Sequence, residues 1–252
     1  MLIQQTIEKL SALKLHGMVA ALEQWRKGGS QSLDPADLLG ILVDAECTSR
    51  DNRRLTRRLQ EARFPVAATV EAIDYQHPRK LQKSKFIELV SCRWVALRQN
   101  VIITGPTGVG KTYLPCALGN SACRAGYRVI YARAPRLFAD LYKARVDGTL
   151  PRLLQRLAKA NVLIIDDLGC APLEPEHRRD LREVLEDRYS SSSTIITSQL
   201  SPKHWHSFIR DDTVADAICD RLVHNAHRFE LDGESLRKVY GMNVPGAEPP
   251  QE

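Results

Sequence analysis

VIITGPTGVGKT, residues 101–112, is the stretch on which the reading of the fold turns. Val101-Ile102-Ile103-Thr104 is an unbroken β-branched run, as a buried strand requires. Gly105, Pro106, Thr107, Gly108, Val109 and Gly110 follow, then Lys111 and Thr112, in the spacing GxxxxGK[ST]. From Tyr113 to Gly126 the pattern turns helical. Strand, glycine loop and helix in that order make a cradle for polyphosphate. Glycines at 105 and 110 let the main chain curl so that successive N–H groups face phosphate oxygens. The helix start at Tyr113 adds the positive end of its dipole. The Lys111 ammonium fits between the outer phosphates, and the Thr112 hydroxyl suits a magnesium ion. The stretch therefore predicts a P-loop that binds a nucleoside triphosphate with Mg2+.

Working outward, strands are expected at 101–104, 128–132, 162–166, 194–198 and about 227–231, with helical segments between them. That alternation predicts an α/β fold, a P-loop NTPase with a parallel five-stranded sheet. Val162-Leu163-Ile164-Ile165 leads into Asp166-Asp167, at the strand end where open α/β sheets hold ligands. Asp166 is placed to hold magnesium through water beside Thr112. Asp167 is placed to orient and polarise the attacking water. The next strand closes on Thr197-Ser198-Gln199, and any of the three could meet the terminal phosphate; strand parity does not choose. Two arginines near the end of the sequence, Arg221 and Arg237, offer the permanent planar cation that phosphoryl transfer uses.

Residues 1–64 read as all-helical. Apolar stripes run over Ile3–Leu15 and Met18–Trp25, with Gly17 marking the break between them. Asp34-Pro35 starts a longer helix, with Asp34 as N-cap and Leu38, Leu39, Leu42 and Ala45 as its buried face. Downstream that helix becomes basic: Arg50, Arg53, Arg54, Arg57 and Arg58 stack at i,i+4 and repel one another. Asp51 and Glu61 are too few to neutralise them, so DNA phosphates or an acidic partner surface are expected here. Residues 65–98 form a connector with a short helix near 85–92. An ATPase domain is expected over 99–240 and a disordered tail over 241–252.

The chain has 252 residues, a net charge of +6 and a pI of about 9.0, which favours an acidic partner. No apolar run approaches the ~18 residues that span a bilayer, so no membrane is expected. The amino terminus lacks a signal-peptide pattern, and the localisation expected is cytoplasmic. None of the six cysteines forms a CxxC pair, which argues against a zinc site or a disulfide framework.

NVIITGPTGVGKT, VLIIDDLGCAPL, STIITSQL and ADAICDRLVHNAHRFELDGESLRK, with the amino-terminal LKLHGMVAALEQ and the DAE-x-x-x-R of residues 44–50, together resemble the IstB-like ATPases. These are AAA+ helper proteins encoded beside the transposase of bacterial insertion sequences, and the resemblance spans about residues 3–240. The chain is similar, more distantly, to replicative helicase loaders of the DnaC type. The resemblance implies an AAA+ ATPase that assembles with copies of itself on duplex DNA and activates a cognate transposase. It puts Lys111 and Thr112 in the Walker A positions, Asp166 and Asp167 in Walker B, and Ser198 or Gln199 in the first sensor position. Arg221 becomes the finger that reaches a neighbouring subunit, and Arg237 the second sensor. Asp167 departs from the glutamate found in many AAA+ relatives. A helicase loader, a small-molecule P-loop kinase and a non-catalytic nucleotide-gated scaffold are the competing readings.

Overall fold

The computed structural model describes residues 2–28, 34–170 and 173–236. Arg237 and the expected tail over 241–252 lie outside the described residues. The chain divides into two compact units, residues 1–57 and 58–252.

The first unit is helical. Helix α1 (Leu2–Ala12) turns through Leu13–Leu15 into α2 (His16–Lys27), and α3 begins at Pro35 and ends at Ala62 in the second unit. Asp34 caps α3, accepting from the Ala36 N–H at 3.4 Å. The break between the first two helices comes before Gly17, at Lys14, which takes a φ of 60°. Gly17 is instead the second residue of α2 and lies against α3. A Cβ there would stand 2.5 Å from the Ala45 carbonyl oxygen, so only glycine allows the helices this close. Leu38, Leu42 and Ala45 are half-buried, whereas Leu39, expected in the same face, is 61% exposed. It stands about 100° around the helix from Leu38, outside the stripe set by the i, i+4, i+7 positions.

The second unit carries the sheet. The connector carries α4 (Lys83–Val90) and the single turn α5 (Arg93–Ala96). Then follow β1 (Asn100–Thr104), α6 (Tyr113–Arg124), β2 (Val129–Arg133), α7 (Ala134–Val146), α8 (Leu150–Ala158) and β3 (Val162–Leu168). The chain continues through α9 (Pro175–Arg188), β4 (Ser193–Ser198), α10 (Trp205–Ile209), α11 (Asp212–Val223) and β5 (Ala226–Glu230). All pairings are parallel, in the order β2-β3-β4-β1-β5. The central strands are buried on both faces, which is why they read as continuous apolar runs rather than alternating ones. One face packs Leu163, Ile165 and Ile196 against Leu137, Leu141, Leu181 and Ile218 of the flanking helices. On the other face Ile164 meets α6 at Gly119, beside Phe64. Each such side chain contributes about 1.5–3 kcal/mol when fully buried.

Candidate nucleotide site

The phosphate loop leaves β1 at the carboxyl end of the sheet and enters α6. Gly110 has a φ of 92°, and a Cβ on it would stand 2.6 Å from a guanidinium nitrogen of Arg79. Pro106 and Thr107 are exposed, Gly105, Gly108, Gly110, Thr112 and Tyr113 half-buried, and Val109 and Lys111 buried. The Lys111 ammonium donates to the Pro106 carbonyl of its own loop at 2.7 Å. Among the carbonyl and phosphate acceptors it could meet, a polyphosphate would offer the stronger, charge-assisted bonds.

Asp166 is the fifth residue of β3 and is 2% exposed. Its Oδ2 accepts from Thr112 Oγ1 at 3.0 Å and from the Tyr131 hydroxyl at 2.7 Å; its Oδ1 accepts from Thr197 Oγ1. Burial first, and then the charge of Asp166, push the Tyr131 phenol well above its ordinary range, which keeps it a donor. The Thr112 hydroxyl and the Asp166 carboxylate thus stand together, oxygen groups of the kind that could hold a hard cation such as magnesium. When bound, the ion would neutralise phosphate charge.

Asp167 lies within a register shift between Ile165 and Leu168, and its φ is 63°. Such a bulge breaks the alternation of the strand and re-aims a side chain. The Asp167 N–H donates to Thr197 Oγ1 at 2.8 Å, and Oδ2 accepts from Arg133 Nη2 at 3.1 Å. Thr197 is therefore the polar residue of the 197–199 trio that touches the acidic pair. Ser198 is buried but its hydroxyl accepts from the Leu200 N–H at 3.0 Å, and Gln199 is exposed.

The structure adds Tyr131, Arg133 and Arg79, none singled out by the sequence. Arg79, in the connector, is 2% exposed and donates to the Val109 carbonyl at 3.2 Å and the Asp74 carbonyl at 2.9 Å, tying connector to phosphate loop. An arginine lodged at 30 positions' remove from its acceptor leaves no local signal. Residues 231–236 cover the loop from another side, with Leu236 N–H donating to the Gly108 carbonyl at 3.0 Å.

Arg221 lies elsewhere. It sits on α11 near the amino ends of the strands, whereas the phosphate loop leaves from their carboxyl ends. Its Nη2 pairs with Glu186 at 2.5 Å, its Nη1 donates to the Ala217 carbonyl at 2.9 Å, and its guanidinium stands 5.8 Å from the Tyr189 ring centroid. Asn100, first residue of β1, fixes the local backbone: its side-chain amide donates to the Arg221 carbonyl at 3.0 Å and accepts from the Thr194 N–H at 2.9 Å. A cavity of about 200 Å³ opens beside Arg221, lined also by Arg98, Arg188, Tyr189 and Asn225. Arg188 is 1% exposed, and its guanidinium is spent on the Leu157, Ala160 and Ser193 carbonyls and the Thr194 hydroxyl.

The amino-terminal arginines divide. Arg50 pairs with Glu46 at 2.7 Å, Arg53 reaches the same carboxylate at 3.7 Å, and Arg54 pairs with Asp51 at 3.2 Å. Arg57 is exposed. Arg58 donates to the Cys123 carbonyl at 3.3 Å, inside the second unit. Glu46, overlooked as a counter-charge, is 4% exposed and also accepts from the Gly17 and Met18 N–H groups.

A phosphate loop after β1, an acidic pair near the end of β3 and this strand order define a P-loop fold of the AAA+ type. The family of IstB-like ATP binding proteins matches residues 8–242, and the chain belongs to that family. It is 46% identical to the insertion sequence ATP-binding protein y4pL of Sinorhizobium fredii, over 94% of this chain and 98% of that one. It is 47% identical to the insertion sequence IS1162 ATP-binding protein of Pseudomonas fluorescens, over 79% of this chain and 87% of that one. Among solved structures, DnaI superposes with a TM-score of 0.58 at 22% identity, over 66% of this chain and 92% of that one. The DnaC helicase loader gives 0.51 at 20% identity, over 63% and 94%. These two likenesses concern the fold. Among the described residues no helix is long and apolar enough to cross a membrane.

Proposed function

We propose that this protein is a magnesium-dependent ATPase that assembles with copies of itself on duplex DNA and engages a cognate transposase in the cytoplasm. The observation that carries this reading is the placement of Arg221 at the opposite end of the strands from its own phosphate loop. A five-residue strand is about 16 Å long, so Arg221 suits a neighbour's ATP better than its own. In this reading Lys111 and the loop amides grip the phosphates, while Thr112 and Asp166 hold the metal. Asp167 orients a water for in-line attack on the γ-phosphorus. The new P–O bond forms as the bond to the ADP oxygen breaks, and Asp167 receives the water's proton. Thr197 keeps both aspartates in place; Ser198, Gln199 and Arg237 remain proposed contacts to nucleotide. The helical segment 1–64, with Arg50, Arg53, Arg54 and Arg57 outward, contacts DNA or transposase, and the connector 65–98 links it to the ATPase domain 99–240.

The test is ATP turnover as a function of protein concentration. Wild type should show turnover per subunit that rises with concentration as subunits assemble, more so with duplex DNA. Arg221→Ala should stay low throughout, by about 10³-fold or more at saturation. Superimposable curves would remove Arg221 from the site. A helicase-loader role shares this fold; co-purification with a replicative helicase in place of a transposase would select it.

A further inference from the structure

We propose that Tyr131 is a positioning residue for the metal-holding carboxylate: its hydroxyl fixes the rotation of Asp166 and reserves one acceptor site of that carboxylate for a magnesium-bound water. The inference rests on the reading of Asp166 as the carboxylate that holds magnesium.

The argument starts from what an aspartate needs. Rotation of a carboxylate about its last torsion is soft, with broad minima. One hydrogen bond does not fix it, but bonds to both oxygens do. At Asp166 the bonds come from three strands or loops. Thr197 on β4 donates to Oδ1, while Thr112 and Tyr131 both donate to Oδ2. An ionised carboxylate has about four acceptor positions. Among the described residues three are filled by hydroxyls, and the one left is on Oδ1. Thr112 has a second duty besides Oδ2, because its hydroxyl, while donating there, would also turn a lone pair to the metal. Tyr131 has no such second duty. It stands on β2, an edge strand, where its Cα pairs in register with Ile164 and that of Arg133 pairs with Asp166. The long phenol reaches two residues along β3 to find Oδ2 at 2.7 Å. Phenylalanine would fill the same half-buried space without the hydroxyl.

The experiment measures equilibrium affinity for a non-hydrolysable ATP analogue, with the full chain, in EDTA and across a magnesium titration. Tyr131→Phe should bind the analogue as wild type does in EDTA. The magnesium concentration that half-maximally tightens binding should rise about 10-fold or more, as expected when a hydrogen bond that orients the surroundings of a metal is lost. Adding Tyr131→Phe to an Asp166→Asn chain should give no further shift, because the hydroxyl acts through that carboxylate. Superimposable wild-type and Tyr131→Phe titrations would overturn the proposal. So would an equal loss of affinity in EDTA and magnesium, or a shift that persists in the Asp166→Asn chain, since each marks a packing role. If Tyr131→Phe fails to melt cooperatively, the hydroxyl is needed for folding and the proposal is also overturned. A wild type with no magnesium response would instead overturn the reading of Asp166 itself.

Discussion

Thr197 uses a single oxygen atom twice, donating to Asp166 and accepting from the Asp167 N–H. Thr197→Val keeps the shape, strips the carboxylate of a donor and leaves that N–H unpaired. The unpaired group alone costs about 1–3 kcal/mol. Urea melts should show a loss in that range, with ATP turnover reduced as well. Ser198→Ala, which gives up only an acceptor for Leu200, should cost less. Asp167 invites a second substitution. Its carboxylate lies against Arg133, which is itself 61% exposed. Asp167→Asn keeps the size and removes the base, so turnover should fall about 10²–10⁴-fold while ATP affinity holds. Turnover unchanged in Asp167→Asn would remove Asp167 as the base; function in transposition intact in Asp167→Asn but abolished in Lys111→Ala would point to the nucleotide-gated scaffold instead.

At the scale of elements, the contact of α2 with α3 is the most exacting. Gly17 sits where a methyl group would meet α3 backbone, and backbone cannot swing aside. Gly17→Ala should destabilise the first unit by about 1–3 kcal/mol, measured by chemical denaturation. The same contact predicts a pH response. Burial by itself would raise the Glu46 carboxyl, but the Arg50 hydrogen bond and the Gly17 and Met18 N–H donors outweigh it, and the value lies below the ordinary one. A carboxyl whose folded value is depressed stabilises fully above its unfolded value and ceases to do so as pH falls through the folded value. The first unit should therefore lose stability on acidification, and Glu46→Gln should flatten that dependence. Melting followed between neutral and acid pH checks both. Here α3 departs from its sequence reading for a clear reason. Its arginine run looked uncompensated because Glu46 was not counted beside Asp51 and Glu61, yet it turns its carboxylate to Arg50 and to the first turn of α2.

At the scale of the molecule, the two ends of the sheet make a prediction about assemblies. If each site joins one subunit's loop to the next one's arginine, the interface is head-to-tail. Lys111→Ala and Arg221→Ala chains should each be inactive alone. Mixed in equal amounts they should recover activity, because roughly a quarter of the interfaces then join an intact loop to an intact arginine. No recovery on mixing would mean that Arg221 serves its own subunit or none.

The phosphate loop, the five strands, the acidic pair and the helical amino-terminal segment were legible in the sequence, because each is written in contiguous residues. Backbone curl needs glycines at fixed offsets, and a strand buried on both faces needs an unbroken apolar run. Only the tertiary structure decided which polar groups surround Asp166, that Arg79 bears on the loop, and that Glu46 serves α2. Those partners stand far apart along the chain. What joins them is strand order, register and a one-residue bulge, and a shift of one residue at any of these would send a side chain to the opposite face.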